Sequence, residues 1–179
     1  YHLPALYGTA SLGIYNSNVR GIIVMGSAAS VNDNKDWENH ISEIMLDASA
    51  KGIPVLGLCY GHQLIGHVYG GKVAPLWSGE KKQGERMVHL KKSPLWGEAT
   101  SGPLLYSHQD GITIVPPGFE VIAESDLVLT DAIVSKTEPV WGFQTHLEAT
   151  QAFVDNHNLP VKDAKESFRF GYSILDKFI

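Results

Sequence analysis

The stretch Ile53-Pro54-Val55-Leu56-Gly57-Leu58-Cys59-Tyr60-Gly61-His62-Gln63-Leu64 decides how this chain is read. Residues 53–58 form a continuous apolar run, the pattern of a strand buried on both faces of a parallel sheet. Pro54 stands near the first position, where a strand tolerates it. Residues 61–69 read as a helix that runs up to Gly70-Gly71. Cys59 falls on the junction, with Gly57 and Gly61 two residues to either side. A strand turning sharply into a helix crowds its own backbone around the turn, and glycine removes the Cβ that would clash. The pattern is a nucleophile elbow with cysteine in place of serine. Such a turn lifts the side chain above the sheet edge. It also sets the thiol at a helix N-terminus, where peptide dipoles favour a thiolate. The backbone N–H of Tyr60 is then placed to meet an oxyanion on a carbonyl attacked by the sulfur. A lone cysteine is more often a buried structural residue. The glycine pair at a strand–helix junction reverses that reading here.

Working outward, Gly21-Ile22-Ile23-Val24-Met25 is a second buried strand ending at Gly26, and residues 27–34 are a small, polar loop. Residues 35–50 have helical spacing, with Trp37, Ile41, Ile44, Met45 and Ala48 on one face and Gly52 as the C-cap. Strand, helix, strand, sharp turn and helix together predict an α/β fold around a parallel sheet. Segments 84–90, 103–106, 119–123, 127–134 and 138–143 are short and β-rich, and read as antiparallel or mixed strands attached to that sheet. Two helical segments close the chain. In the last, Ala164, Phe168, Tyr172 and Leu175 form a stripe expected to pack on the sheet. Residues 1–20 read as irregular, and 1–179 as a single domain.

A cysteine nucleophile needs a base, and the base needs an orienting group. Among eight histidines, His146 has the right neighbourhood. It follows the apolar run Trp141-Gly142-Phe143, and Glu148 lies two residues on, on the same face of an extended segment. A carboxylate there fixes the imidazole's tautomer and stabilises the imidazolium. H-x-E alone is a weak signal and gains weight only beside the elbow. His62 and His67 are five apart and do not align as metal ligands on a helix, so no metal is expected. Lys81-Lys82 and Lys91-Lys92 read as solvated charge. Trp37, Trp77 and Trp96 would mark a partner surface if exposed.

Composition excludes several classes. One cysteine rules out an intramolecular disulfide. A net charge of -5 gives no electrostatic footing on a phosphate backbone, and no apolar run nears the ~20 residues of a membrane span. Neither nucleic acid nor membrane is an expected partner. No signal peptide is read, and the cytoplasm, where a lone thiol stays reduced, is the expected compartment.

The motif Gly57-Leu58-Cys59-Tyr60-Gly61-His62-Gln63 resembles the nucleophile block of class I, triad-type glutamine amidotransferases, in the form of the GMP synthetase type and its free-standing relatives. Gly142-Phe143-Gln144-Thr145-His146-Leu147-Glu148 is similar to the family's G-x-Q-x-H-P-E block. Val24-Met25-Gly26-Ser27-Ala28-Ala29-Ser30 stands at its oxyanion loop, and Tyr106-Ser107-His108-Gln109-Asp110 resembles its S-H-G-D segment. All four blocks fall in family order. The resemblance implies a flavodoxin-like, three-layer sandwich around a mostly parallel sheet with an antiparallel extension. It implies a Cys59–His146–Glu148 triad that hydrolyses the glutamine γ-amide through a γ-glutamyl thioester, with no cofactor. Ser27 and Tyr60 would supply oxyanion N–H groups, and Gly26, Gln63, Ser107 and His108 would contact the substrate. The ammonia would pass to a synthetase partner on another chain, or no acceptor site would exist.

The resemblance also has departures. Ser27 replaces a glycine, which weakens the oxyanion hole if that position needs positive φ. Ala28 replaces a proline, and Leu147 replaces the proline of the triad loop, removing a φ restraint. The family's first strand and helix have no counterpart in residues 1–20, so that unit is expected to be missing from this sequence or the sheet to be shorter. Two other functions remain open on the residues: hydrolysis of γ-glutamyl peptides or conjugates with the same triad, and a non-catalytic relative acting as a binding module. A cysteine peptidase or chaperone-like elbow is disfavoured, because those place the histidine soon after the cysteine.

Overall fold

A computed structural model describes residues 19–179; most of the irregular stretch expected over 1–20 lies outside them. Strands β1 (Ile22–Val24), β2 (Val55–Leu58) and β9 (Val140–Phe143) run parallel side by side. Beyond β9 the sheet continues antiparallel through β8 (Ala132–Ser135), β7 (Phe119–Glu124), β4 (Lys82–Leu90) and β5 (Thr100–His108). The seven strands thus form one mixed sheet, with a parallel part that carries the elbow and an antiparallel arm. A separate ribbon pairs β3 (Lys72–Pro75) with β6 (Asp110–Ile114). This pair is an addition to the sequence reading. The 127–134 segment narrows, because residues 127–130 are a turn ahead of β8.

Helices cover both faces, because residues alternate between faces with period two. Val55, Val140 and Ile133 point to one core, with Met45 and Ala48 of α1 (Asp36–Ala50) and Leu64 and Ile65 of α2 (Tyr60–Val68). Leu56, Leu58, Phe143 and Val134 point to the other, with Ile174 of α4 (Lys165–Phe178). A short helix, α3 (Gln151–Asn156), precedes α4. Helix α1 ends as expected at Gly52. Its φ is +75°, the Gly52 N–H donates to Ser49 O at 2.9 Å, and the Ile53 N–H to Ala48 O at 2.9 Å, a Schellman motif.

The expected stripe holds at Ala164, which is buried, and at Phe168 and Leu175, which pack on the core, but not at Tyr172. Ser167, Gly171 and Ile174 are the buried residues of α4, while Tyr172 is 37% exposed. A Cβ on Gly171 would lie 2.6 Å from Leu147 O, so the small residue lets the helix seat directly on the loop after β9. Tyr172 still contributes, as its hydroxyl donates to Ala149 O at 2.8 Å. None of Trp37, Trp77 and Trp96 is an exposed ring. They pack on Tyr60, His108 and Phe143 with ring centroids 5.6, 5.2 and 5.6 Å apart, which corrects the partner-surface expectation.

Candidate active site

Cys59 links β2 to α2 with φ +52° and ψ −99°, a left-handed backbone that a side-chain-bearing residue rarely adopts. The neighbouring glycines show why the turn can exist. A Cβ on Gly57 would lie 2.4 Å from Gly61 C and O, and one on Gly61 would lie 2.1 Å from Val24 O. Both clashes are with backbone, which has nowhere to go. The Cys59 N–H donates to Phe143 O at 2.8 Å, so the elbow is tied to the strand that leads into His146.

His146 is pinned in turn, its N–H donating to Leu105 O at 2.9 Å. Its Nδ1 lies 2.8 Å from Glu148 Oε1. The carboxylate only accepts, so Nδ1 carries a proton and Nε2 is left for the sulfur. Burial pushes the imidazole down, but hydrogen bonding to Cys59 and to Glu148 outweighs it and holds His146 up at about 10. Phe153 of α3 covers the imidazole ring at 4.4 Å. Gly26 keeps the approach open, since a Cβ there would lie 2.9 Å from His146 Cε1 and 3.7 Å from Cys59 Cβ.

Beside the thiol is an open cleft of about 150 Å³, lined by Cys59, Gln63, Lys81 and Asp110, the loop Ser27–Ser30 and residues 107–109. Ser27 does not have a positive φ, so replacement of glycine there needs no strained backbone. Tyr60 is the first residue of α2, and its N–H has no intrahelical acceptor. Its phenol packs on Trp37 and is pushed up by burial and then by Glu38. What it offers the cleft is its backbone. Leu147 compensates for the absent proline by packing, being 1% exposed in the core shared with Ile174.

Of the expected substrate contacts, Gln63 and Ser107 line the cleft with polar atoms near it. Gln63 Nε2 donates to Asp110 O at 2.8 Å, and Ser107 O lies 4.0 Å from Cys59 Sγ. His108 is different. Its Nε2 faces Arg86 Nη1 at 3.0 Å and its Nδ1 faces Asp110 O at 2.9 Å. Both nitrogens are taken, so it forms wall rather than gripping a ligand by hydrogen bonds. Gln144, to which the sequence assigns no role, is fully buried, and its Nε2 lies 3.8 Å from Cys59 Sγ. Asp110 also enters the cleft, with Oδ2 accepting from the Ser30 hydroxyl at 2.7 Å. Among the described residues no cluster of three or more His, Cys, Asp or Glu could hold a metal, and no helix is long and apolar enough to cross a membrane.

An α/β sheet with a left-handed cysteine elbow, and a histidine–carboxylate pair just after the neighbouring parallel strand, defines a structural class. Comparison with known proteins narrows it. The family model for "Glutamine amidotransferase class-I" matches residues 7–162. GMP synthase [glutamine-hydrolyzing] of Porphyromonas gingivalis is 40% identical over 134 residues, covering 74% of this chain and 25% of that protein. A subunit of GMP synthase [glutamine-hydrolyzing] from Methanocaldococcus jannaschii is 33% identical over 144 residues, covering 80% of this chain and 72% of that one. The crystal structure of a GMP synthase subunit protein from Thermoplasma acidophilum superposes with a TM-score of 0.72 at 20% identity, over 90% of this chain and 72% of that one, which speaks for the fold. The chain belongs to the class I glutamine amidotransferase family. It spans about a quarter of the length of the curated relatives that it matches at up to 40% identity.

Proposed function

We propose that this chain hydrolyses the γ-amide of glutamine, with Cys59 as nucleophile, His146 as acid and base, and Glu148 as the group that orients His146. The observation that carries the reading is the convergence of a left-handed Cys59 at the elbow with His146, whose Nδ1 is held 2.8 Å from Glu148 Oε1 and whose imidazolium is favoured by both Cys59 and Glu148. The thiolate attacks the amide carbon. Backbone N–H groups of Ser27 and Tyr60 receive the oxyanion. The His146 imidazolium protonates the leaving nitrogen, ammonia departs, and a γ-glutamyl thioester remains on Cys59. His146 then takes a proton from water, which attacks the thioester and releases glutamate.

The ammonia acceptor lies outside this domain on this reading. The Methanocaldococcus jannaschii relative is named as a subunit, and the Porphyromonas gingivalis relative extends far beyond the matched region. Both support a synthetase unit that receives the ammonia. The test is a glutaminase assay on wild type and Cys59→Ala, with γ-glutamyl dipeptides run alongside. The expected result is a higher kcat/KM for glutamine than for the dipeptides, lost by about 10⁴-fold or more in the variant. An unchanged rate in Cys59→Ala would overturn the mechanism. Preference for dipeptides would move the reading to γ-glutamyl conjugates.

A further inference from the structure

Behind the cleft wall lie two buried charges. Arg86 of β4 and Asp131 ahead of β8 pair through Arg86 Nη2 and Asp131 Oδ1, at 6% and 0% exposure. Desolvation of such a pair consumes most of its Coulomb gain, and well-packed apolar residues are commonly as stable. Stability alone is therefore a poor reason for its presence.

The rest of the guanidinium shows what else the pair does. Nη1 reaches His108 Nε2 at 3.0 Å, and the guanidinium lies 4.4 Å over the Tyr106 ring. A guanidinium only donates, so Nε2 must accept and the His108 proton must sit on Nδ1. That N–H donates to Asp110 O at 2.9 Å, and Gln63 Nε2 donates to the same carbonyl at 2.8 Å. The β5–β6 junction, residues 107–110, which lines the cleft, is thereby fixed from behind. Burial first, and the Arg86 charge second, push His108 down to about 3, so the ring stays neutral. On the other branch, Asp131 O accepts from the Gln144 N–H at 2.8 Å, and the Gln144 side chain reaches Cys59 Sγ.

We propose that Arg86 is a positioning residue for substrate binding: paired with Asp131, it locks His108 in the Nδ1–H tautomer and so sets the 107–110 wall of the cleft. The proposal rests on the reading of this cleft as the glutamine site. It goes beyond that reading by assigning a role to a residue that need not touch the substrate.

The test uses three variants of the full chain. Arg86→Met leaves Asp131 buried and unpaired, and is expected to be destabilised. Arg86→Met/Asp131→Leu removes both charges and keeps apolar volume, and its Tm is expected within about 5 °C of wild type. Arg86→Lys keeps a cation for Asp131 but cannot fork to both partners. Nitrogen-15 spectra of the labelled histidines read the tautomer. Wild type should show His108 as Nδ1–H with an acceptor Nε2, and both the double and the Lys variant should lose that signature. Glutamine KM should rise about 10- to 100-fold in both, with kcat within about threefold of wild type. A double variant with wild-type KM, or with the His108 signature intact, would overturn the proposal. Should the double variant not fold, the Lys variant decides by the same two readouts. Absence of turnover in wild type would overturn the functional reading instead, while the nitrogen spectra still decide whether Arg86 sets the tautomer.

Discussion

The two parts of the sheet build one cleft by different means. The parallel part, β1, β2 and β9, places its reactive groups through local backbone geometry: a left-handed Cys59, glycines in backbone contact, and a histidine two residues from its carboxylate. The antiparallel arm and the β6 ribbon beside it place their groups through long-range side-chain links: Arg86 to Asp131, Arg86 to His108, and Asp110 O to Gln63 of α2. The first is rigid because atoms have no room to move. The second is held by buried hydrogen bonds whose partners are far apart in sequence. On the proposed reading, chemistry rests on the close-packed turn, and the shape of the cleft rests on the braced wall.

Matched glycine substitutions break the comparison most sharply. Gly61→Ala puts a Cβ 2.1 Å from Val24 O, whereas Gly102→Ala in the arm meets the Phe170 ring at 2.5 Å. A backbone carbonyl of a paired strand cannot yield, but a side-chain ring can turn. Gly61→Ala is expected to lose about 4 kcal/mol or more of stability in urea unfolding, and Gly102→Ala about 1–3 kcal/mol. Equal losses would contradict the distinction.

A smaller effect tests the charge on His146. Its imidazolium is held up to about 10 by Cys59 and Glu148 against burial. Glu148→Gln removes one of the two supports, so the imidazolium deprotonates at lower pH. On the proposed mechanism that proton goes to the leaving ammonia, so the alkaline limb of kcat/KM should move down by about one pH unit or more. Loss of the carboxylate that orients His146 should separately lower activity near pH 8 by about 100-fold. A limb that stays in place would detach Glu148 from the role assigned to it.

The smallest effect is the strain at the elbow itself. With φ at +52°, Cys59 adopts a backbone that glycine accepts without cost. Cys59→Gly should therefore be about 1 kcal/mol more stable than Cys59→Ala, with both inactive. Thermal unfolding of the two variants measures it.

These contrasts also explain what was legible in the sequence. The elbow, β2, β9 and the His146–Glu148 pair depend on neighbours within a few residues, so pattern and spacing carry them. The Arg86–Asp131 pair is 45 residues apart, and nothing local distinguishes a buried arginine on a strand from a solvated one. The ribbon β3–β6 escapes a sequence reading because Lys72–Pro75 has an exposed lysine and a proline, and only its pairing with β6 makes it a strand. Tyr172 is the member of the α4 stripe that falls outside the core, because apolar spacing counts large residues. The packing face is instead set by Gly171, whose missing side chain is what lets the helix approach Leu147. Gln144 and Asp110 stand inside the family-like motifs, and their polar character at the ends of apolar strands is the available signal.

The central claim is that Cys59 sulfur forms a covalent bond to the substrate's γ-carbonyl. The direct measurement is rapid acid quench of wild-type protein mixed with glutamine, followed by intact-mass and peptide mass spectrometry. The account predicts a γ-glutamyl adduct on the peptide carrying Cys59, formed and consumed at rates compatible with turnover, and absent in Cys59→Ala. Turnover by wild type with no adduct on Cys59, together with retained activity in Cys59→Ala, would contradict it.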